Sequence, residues 1–347
     1  LNPGIIPTAT GFTLGTTNAE LNASGVTYIY MAIRRGPMRT PTSGASVFNP
    51  LLHTSSSTET TATIGFPTDL TLLKIRQVTD GTRWIDRLRG ITGSSDSPEI
   101  NSSSLNAEYT TNDIYKAQQN TVTVGGIGAY SLVLWNFKRA PGFFDVVCYT
   151  GTGSARTVNH NLGVAPELLI IKSRTGVENW PVWSKYENQN VMYGAYLSDP
   201  MGYQFQYAFW GNTGNANMTS TTFSLGNAGN VNRSANTFVA YLFASCPGVS
   251  KAGSYTGTGA SQVINCGFTA GARFVLIKRT DASGDWYVYD TARGMVSGTD
   301  PYLLMNSTAA EVNANYVFTS STGFTIQSAA PAGINANGGT FIYLAIA

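Results

Sequence analysis

Short runs of consecutive apolar residues recur along the chain, separated by stretches rich in Gly, Ser, Thr and Asn. One such run appears in three versions, each ending in lysine: Thr71-Leu72-Leu73-Lys74, Leu169-Ile170-Ile171-Lys172 and Phe274-Val275-Leu276-Ile277-Lys278. A tryptophan follows each, at Trp84, Trp180 and Trp286. A closing run recurs as Tyr130-Ser131-Leu132-Val133-Leu134-Trp135, as Phe238-Val239-Ala240-Tyr241-Leu242-Phe243 and as Phe341-Ile342-Tyr343-Leu344-Ala345-Ile346. Apolar runs of this length, bounded by turn residues, predict strands. The last run predicts a central, buried strand, entered through a turn, Asn335 to Gly339, with the Asn and Gly that positive φ requires. No stretch predicts an amphipathic helix longer than two turns.

Self-similarity at a fixed spacing organises these strands into copies. The lysines lie 98 and 106 residues apart, and Tyr-Thr-Gly-Thr-Gly opens two of the copies, at Tyr149 and Tyr255. Asp290, Arg293 and Gly294 have counterparts in Asp86, Arg89 and Gly90, whereas the second copy lacks this turn. The expected fold is all-β: tandem antiparallel β-sandwich domains of jelly-roll type, three copies plus an N-terminal partial one. Repeat one, the most diverged, covers 36–140, repeat two 141–246 and repeat three 247–347. Each has the size of a domain able to bury its own core.

Residues 1–35 match only the last third of the template, through Gly11-Phe12-Thr13-Leu14 and Tyr28-Ile29-Tyr30-Met31-Ala32-Ile33. They are expected to be the C-terminal part of a truncated repeat, so that the sequence is a piece of a longer polypeptide. A lone closing strand exposes unpaired backbone groups, and pairing with an upstream segment or a neighbouring chain is the expected remedy. Within repeat one, Ile91 to Ala107 reads as a long loop and Asn112 to Asn120 as a short helical turn. In repeat two, alternation along Tyr203 to Trp210 reads as a strand with Tyr203, Phe205, Tyr207 and Phe209 on one face.

Composition narrows the function classes. Charged residues make up only 12% against roughly 25% in ordinary chains, and the 37 glycines fit many short strands joined by turns. The 42% apolar content is too high for disorder. A net charge of +2 with no large basic cluster argues against nucleic acid, and no apolar run approaches the ~20 residues of a membrane span. Three scattered cysteines make neither a disulfide framework nor a zinc site; a Cys148–Cys246 bridge is the minor alternative to buried thiols.

Catalytic chemistry finds little to use. His53 and His160 are the only histidines, and neither accompanies a nucleophile motif. Asp285 and Asp290 flank one strand as a glycosidase pair would, but repeat two has Asn179 and Ser184 in their places, which favours a structural Asp–Arg turn. Ser297-Gly298-Thr299-Asp300 lacks the spaced ligands of a calcium loop. No catalytic residue, metal ligand or cofactor is expected. Aromatic rings are the better signal: Tyr203, Tyr207 and Trp210 in repeat two, and Tyr287 and Tyr289 in repeat three, are the candidate residues for stacking on carbohydrate. The bland alternative is that such rings fill a core.

The Tyr-Thr-Gly-Thr-Gly opening, the Leu-Ile-Ile-Lys and Val-Leu-Ile-Lys strands, the tryptophan after them and the closing Phe-Val-Ala-Tyr-Leu-Phe resemble a repeat module of marine bacteriophage virion proteins of tail-fibre type. The resemblance covers Phe143 to Ala347 well and the earlier residues loosely. It implies a non-enzymatic structural protein of the virion that partners with copies of itself, other virion proteins or host-surface glycans. The first expectation is a tail-fibre or receptor-binding segment. The alternatives are a capsid decoration or self-assembling surface protein and, third, a polysaccharide-degrading enzyme.

Overall fold

The computed structural model describes residues 5–7, 12–31, 39–90, 97–186, 194–203, 206–211 and 217–347. The chain is nearly all β, with 42% strand and 6% helix, in antiparallel sheets of sandwich type. It divides into two compact units, Leu1–Arg39 and Thr40–Ala347.

Within Thr40–Ala347 the three repeats share one strand order. In each large sheet the closing strand is an inner one, next to the edge strand: Ser131–Phe137 lies between Phe48–Thr54 and Leu70–Ile75. Thr237–Phe243 lies between Phe144–Thr150 and Leu168–Ser173, and Thr340–Ile346 between Ser250–Thr256 and Phe274–Arg279. The tryptophan-bearing strands Arg83–Asp86, Pro181–Ser184 and Trp286–Asp290 extend each sheet. A small sheet covers the outer face of each repeat, for example Gln262–Asn265, Gly323–Ile326 and Val317–Ser320 in repeat three.

Alternation along the closing strands explains why they are apolar throughout. Leu132 and Leu134, Phe238 and Leu242, and Phe341 and Tyr343 point to the small sheet of their own repeat and fill three separate outer cores. Their neighbours Val133, Trp135, Val239, Tyr241, Ile342 and Leu344 point the other way, into one core to which all three repeats contribute. A strand buried on both faces has no polar side to display. The repeats are therefore sandwiches that close on one another, each contributing one apolar face to a common interior.

The shared core is ringed by polar ties that run in one direction, from repeat one to three, two to one, and three to two. Trp135 Nε1 donates to Asp290 Oδ2 (2.8 Å), and Tyr241 Oη donates to Asp86 Oδ2 (2.8 Å). At the third seam the corresponding residues are Leu344 and Ser184, and the leucine side chain has no hydrogen to donate. Here Trp286 Nε1 donates to the Tyr196 carbonyl (2.7 Å), as Trp180 Nε1 does to that of Ser104 (3.1 Å). Gly44 admits the end of the unit: a Cβ there would lie 1.9 Å from the Ala347 carbonyl oxygen.

Several local expectations are corrected. Asn112 to Asn120 holds the strand Ile114–Ala117, which pairs with Thr121–Gly125, in place of a helical turn. The expected loop Ile91 to Ala107 contains the strand Pro98–Asn101; residues 91–96 lie outside the described ones. Tyr203 to Trp210 is not one strand: Asp199–Tyr203 ends it and Gln206–Trp210 is helical. The carbonyls of Ala208 and Phe209 accept from Ala228 and Gly226, while Phe209 and Trp210 enter the outer core of repeat two. Burial of two large rings outweighs the strand-like alternation.

The smaller unit has a hairpin, Ile5–Pro7 with Phe12–Leu14, and a helical turn, Ala19–Asn22. The expected strand Tyr28–Ile33 is absent over its described part, Tyr28 to Met31. Those residues are exposed; within the unit, Tyr28 Oη donates to the Ala19 carbonyl and the Tyr30 ring meets Phe12 edge-on.

Candidate functional site

The charged residues that stand out in the sequence build the seams. Lys74, Lys172 and Lys278 end equivalent strands and are buried. Lys74 Nζ donates to the Asp80 carbonyl of its own repeat (2.9 Å) and to Ser307 O of repeat three (2.6 Å). Lys172 repeats the pattern, with Glu178 O (2.6 Å) and Leu105 O of repeat one (2.7 Å). Lys278 donates to Gly284 O. Burial pulls both Lys74 and Lys172 down to about 8, opposed by nearby carboxylates.

Asp86 and Asp290 do similar work. Asp290 Oδ2 accepts from Arg293 Nε (2.6 Å) and its Oδ1 from the Arg293 amide (3.0 Å), with both side chains fully buried. Arg293 Nη2 reaches back to Val288 O (2.8 Å). Asp86 and Arg89 form the same turn bridge in repeat one. Asp290 is thus an acceptor committed to an arginine and a tryptophan, and Asp285 accepts from Asn306 Nδ2 (2.8 Å). His160 Nδ1 accepts from the Leu162 amide (3.1 Å), its Nε2 faces Thr219 O (3.2 Å), and burial lowers its pKa. His53 pairs with Thr60 Oγ1 (2.7 Å). Cys148, Cys246 and Cys266 are free thiols. Asp300 is buried and accepts from the Tyr316 and Val317 amides. Among the described residues, no group of three or more His, Cys, Asp or Glu is placed to hold a metal ion.

The five aromatic candidates separate. Trp210 is buried in the outer core of repeat two and Tyr289 in that of repeat three, where neither can stack on a ligand. This corrects their assignment to a binding surface. The side chains of Tyr203 and Tyr207 lie outside the described residues. Tyr287 is half-buried, and burial pushes its hydroxyl up to about 12.

Tyr287 is one end of a tyrosine row that sequence inspection missed. Its ring centroid lies 5.2 Å from that of Tyr302, and Tyr302 stacks on Tyr316 at 6.0 Å and 30°. All three rings are half-buried at the outer margin of repeat three, and Asp285 lies near Tyr287 and Tyr302. The row is brought together by the bridge of Tyr302 with Val312 and by Asp300, which anchors the backbone at Tyr316. Residues 287, 302 and 316 share no sequence period, so only the fold shows the row.

A second surface feature lies in repeat one. A cleft of about 260 Å³ is lined by the apolar Ile75, Val78 and Ile127, by Tyr130 and by the charged Asp80, Arg83 and Asp113. Arg83 is surrounded by Asp113 (2.7 Å), Asp80 (3.3 Å) and the buried Glu99 (3.7 Å). Burial raises Glu99 to about 7, with Arg83 opposing the shift.

Sequence reasoning also missed two asparagines that explain the Tyr-Thr-Gly-Thr-Gly motif. Asn232 Oδ1 accepts from the Thr152 amide (2.9 Å), its Nδ2 donates to Ser154 O (2.7 Å), and its carbonyl accepts from Gly153 N (2.6 Å). Asn335 makes the same three contacts with Thr258 N (3.1 Å), Ala260 O (3.0 Å) and Gly259 N (3.1 Å). The motif is a loop wrapped round an asparagine from the closing helical turn. Repeat one has neither the motif nor that helical turn among its described elements.

These features define an all-β block of three mutually closed sandwiches, its buried charges tied into seams and a tyrosine row at one margin. The chain belongs to the family described as Domain of unknown function (DUF7483), whose profile matches residues 44–347, nearly the whole of the larger unit. No curated protein matches it.

Proposed function

We propose that this protein is a non-enzymatic structural component of a phage particle that attaches to host-surface glycans, with Tyr287, Tyr302 and Tyr316 as its contact face. The observation that carries the reading is the use made of the chain's ionisable groups. Lys74, Lys172, Asp86, Asp290, Arg89 and Arg293 are spent holding the repeats together, as suits a rigid building block. What the margin of repeat three offers is a row of tyrosine rings next to a carboxylate, a surface suited to stacking on sugar faces and bonding hydroxyls. The likeness of its motifs to virion repeat modules supplies the particle.

The test is binding of the purified chain to host envelope polysaccharide, read by sedimentation and glycan array. Tyr302→Ala and Tyr316→Ala are expected to weaken it about tenfold each, as for loss of ~1.4 kcal/mol, with both variants still folded by circular dichroism. Undiminished binding by both folded variants rejects the tyrosine face. Gold labelling that finds the chain on the capsid shell supports the decoration reading instead, and release of reducing sugar supports the enzymatic one.

A further inference from the structure

Over its described residues, the smaller unit shares several local features with the end of a repeat, although the closing strand is not formed there. Its hairpin pairs Ile6 with Thr13, as Phe318 pairs with Thr325 in repeat three. Its helical turn Ala19–Asn22 matches Ala332–Asn335 and Gly229–Asn232. A left-handed residue follows at the same distance in all three: Gly25 (φ 75°), Gly338 (φ 75°) and Ala235 (φ 66°). The rings of Phe12 and Tyr30 meet at 5.1 Å and 80°, and those of Phe324 and Tyr343 at 5.3 Å and 76°. From Leu21 to Met31 the alignment with Ile334 to Leu344 has no gap.

What differs is the cover. Ile342 and Leu344 are 3% and 2% exposed, because their strand lies between Ser250–Thr256 and Phe274–Arg279. Ile29 and Met31, at the same positions, are 99% and 86% exposed. Leu21 stands where the fully buried Ile334 and Val231 stand, and is exposed. Asn22 occupies the place of Asn335 and Asn232 and is likewise exposed; its Nδ2 donates to Thr16 O (2.9 Å), much as Asn335 Nδ2 does to Gln327 O.

We infer that residues 19–31 of the smaller unit are a docking site for the front half of a repeat of this same family, lying outside the chain's own three. The occupant is a polypeptide with a Thr-Gly-Thr-Gly loop, a strand before it and an apolar strand after it. The two strands would flank Thr27 to Met31 on either side, and the loop would wrap Asn22 as the loops at Thr152 and Thr258 wrap Asn232 and Asn335. The first glycine of the loop is a recognition element. A Cβ on Gly151 would lie 2.1 Å from Arg233 O, and one on Gly257 2.2 Å from Ala336 O, so the Ala23 carbonyl requires glycine opposite it. A second copy of the chain is not the occupant, because its two such loops are already held by its own Asn232 and Asn335. The inference stands independently of the glycan reading.

The probe is the segment 247–285 of this chain, added to the full-length protein, with amide hydrogen exchange read by mass spectrometry. Exchange at Thr27 to Met31 is expected to slow on the order of 10²-fold, as for strand amides drawn into a ladder. A probe carrying Gly257→Val and a chain carrying Asn22→Ala should each lose most of that protection. If the free probe precipitates, the same segment joined through a flexible linker ahead of Leu1 presents the strands at high effective concentration. No slowing in either format overturns the inference, as does equal protection by the Gly257→Val probe, which marks unspecific adhesion. Protection of the chain alone, with a doubled mass, overturns it in favour of self-association.

Discussion

The seam between repeats one and three offers a direct measurement of how strongly the ring is closed. Asp290→Asn removes the charge that neutralises Arg293 and weakens the acceptor for Trp135 Nε1, at a point where the Asp290 and Arg293 side chains are fully buried. Leaving a buried arginine uncompensated costs about 3–5 kcal/mol, although Glu311 at 3.4 Å from Nη1 recovers a part. Trp135→Phe removes the indole donor and some volume, for about 2–3 kcal/mol. If the hydrogen bond to the carboxylate is what links the two repeats, the double variant is less destabilised than the sum by about 1.5 kcal/mol. Urea unfolding followed by tryptophan fluorescence and circular dichroism supplies the four free energies, provided both probes give one transition. The same cycle on Asp86→Asn and Tyr241→Phe should give a coupling of like size. Ser184→Ala and Leu344→Ala should show no such coupling, because a leucine side chain has no hydrogen to donate. A cost below 1 kcal/mol for Asp290→Asn, or coupling indistinguishable from zero at both charged seams, refutes the argument that these ties close the ring.

Glu99 should make stability fall as pH rises. Its folded value, about 7, lies above its unfolded one, so its contribution is complete below about pH 4.5 and lost as pH rises through 7. Glu99→Gln is expected to match the wild type near pH 5 and exceed it by about 1–3 kcal/mol at pH 8, measured by urea midpoints; a parallel pair of curves contradicts this. Lys74 and Lys172, pulled down to about 8, act oppositely above that pH: the unfolded chain binds the extra protons, so Lys172→Met should remove stability gained between pH 8 and 10. Asn335→Ala should cost about 3 kcal/mol and free the Thr258 and Gly259 amides to exchange, while Asn22→Ala in the isolated chain costs less than about 0.5 kcal/mol. Equal costs for the two asparagines would count against the loop-wrapping account.

The sequence by itself determined the strands and their repetition, because an apolar run between Gly- and Asn-rich turns is a local signal. Lys74, Lys172 and Lys278 could be aligned by eye, as could Asp86 with Asp290. Periodicity failed where burial competed with it, as in the helical turn ending at Trp210, and where a strand carries few apolar residues, as in Pro98–Asn101. Only the tertiary structure decided what the repeats do to one another. A run such as Val239 to Leu242 says that both faces of a strand are buried, but not that one face meets two other repeats. The lysines' second carbonyls, Ser307 and Leu105, lie 233 and 67 residues away in the chain. Tyr287, Tyr302 and Tyr316 come from three separate segments, and Asn335 serves a loop 77 residues before it. Local propensity is set by neighbours in sequence, whereas seams, stacks and caps are set by neighbours in space, and those exist only once the sheets have closed.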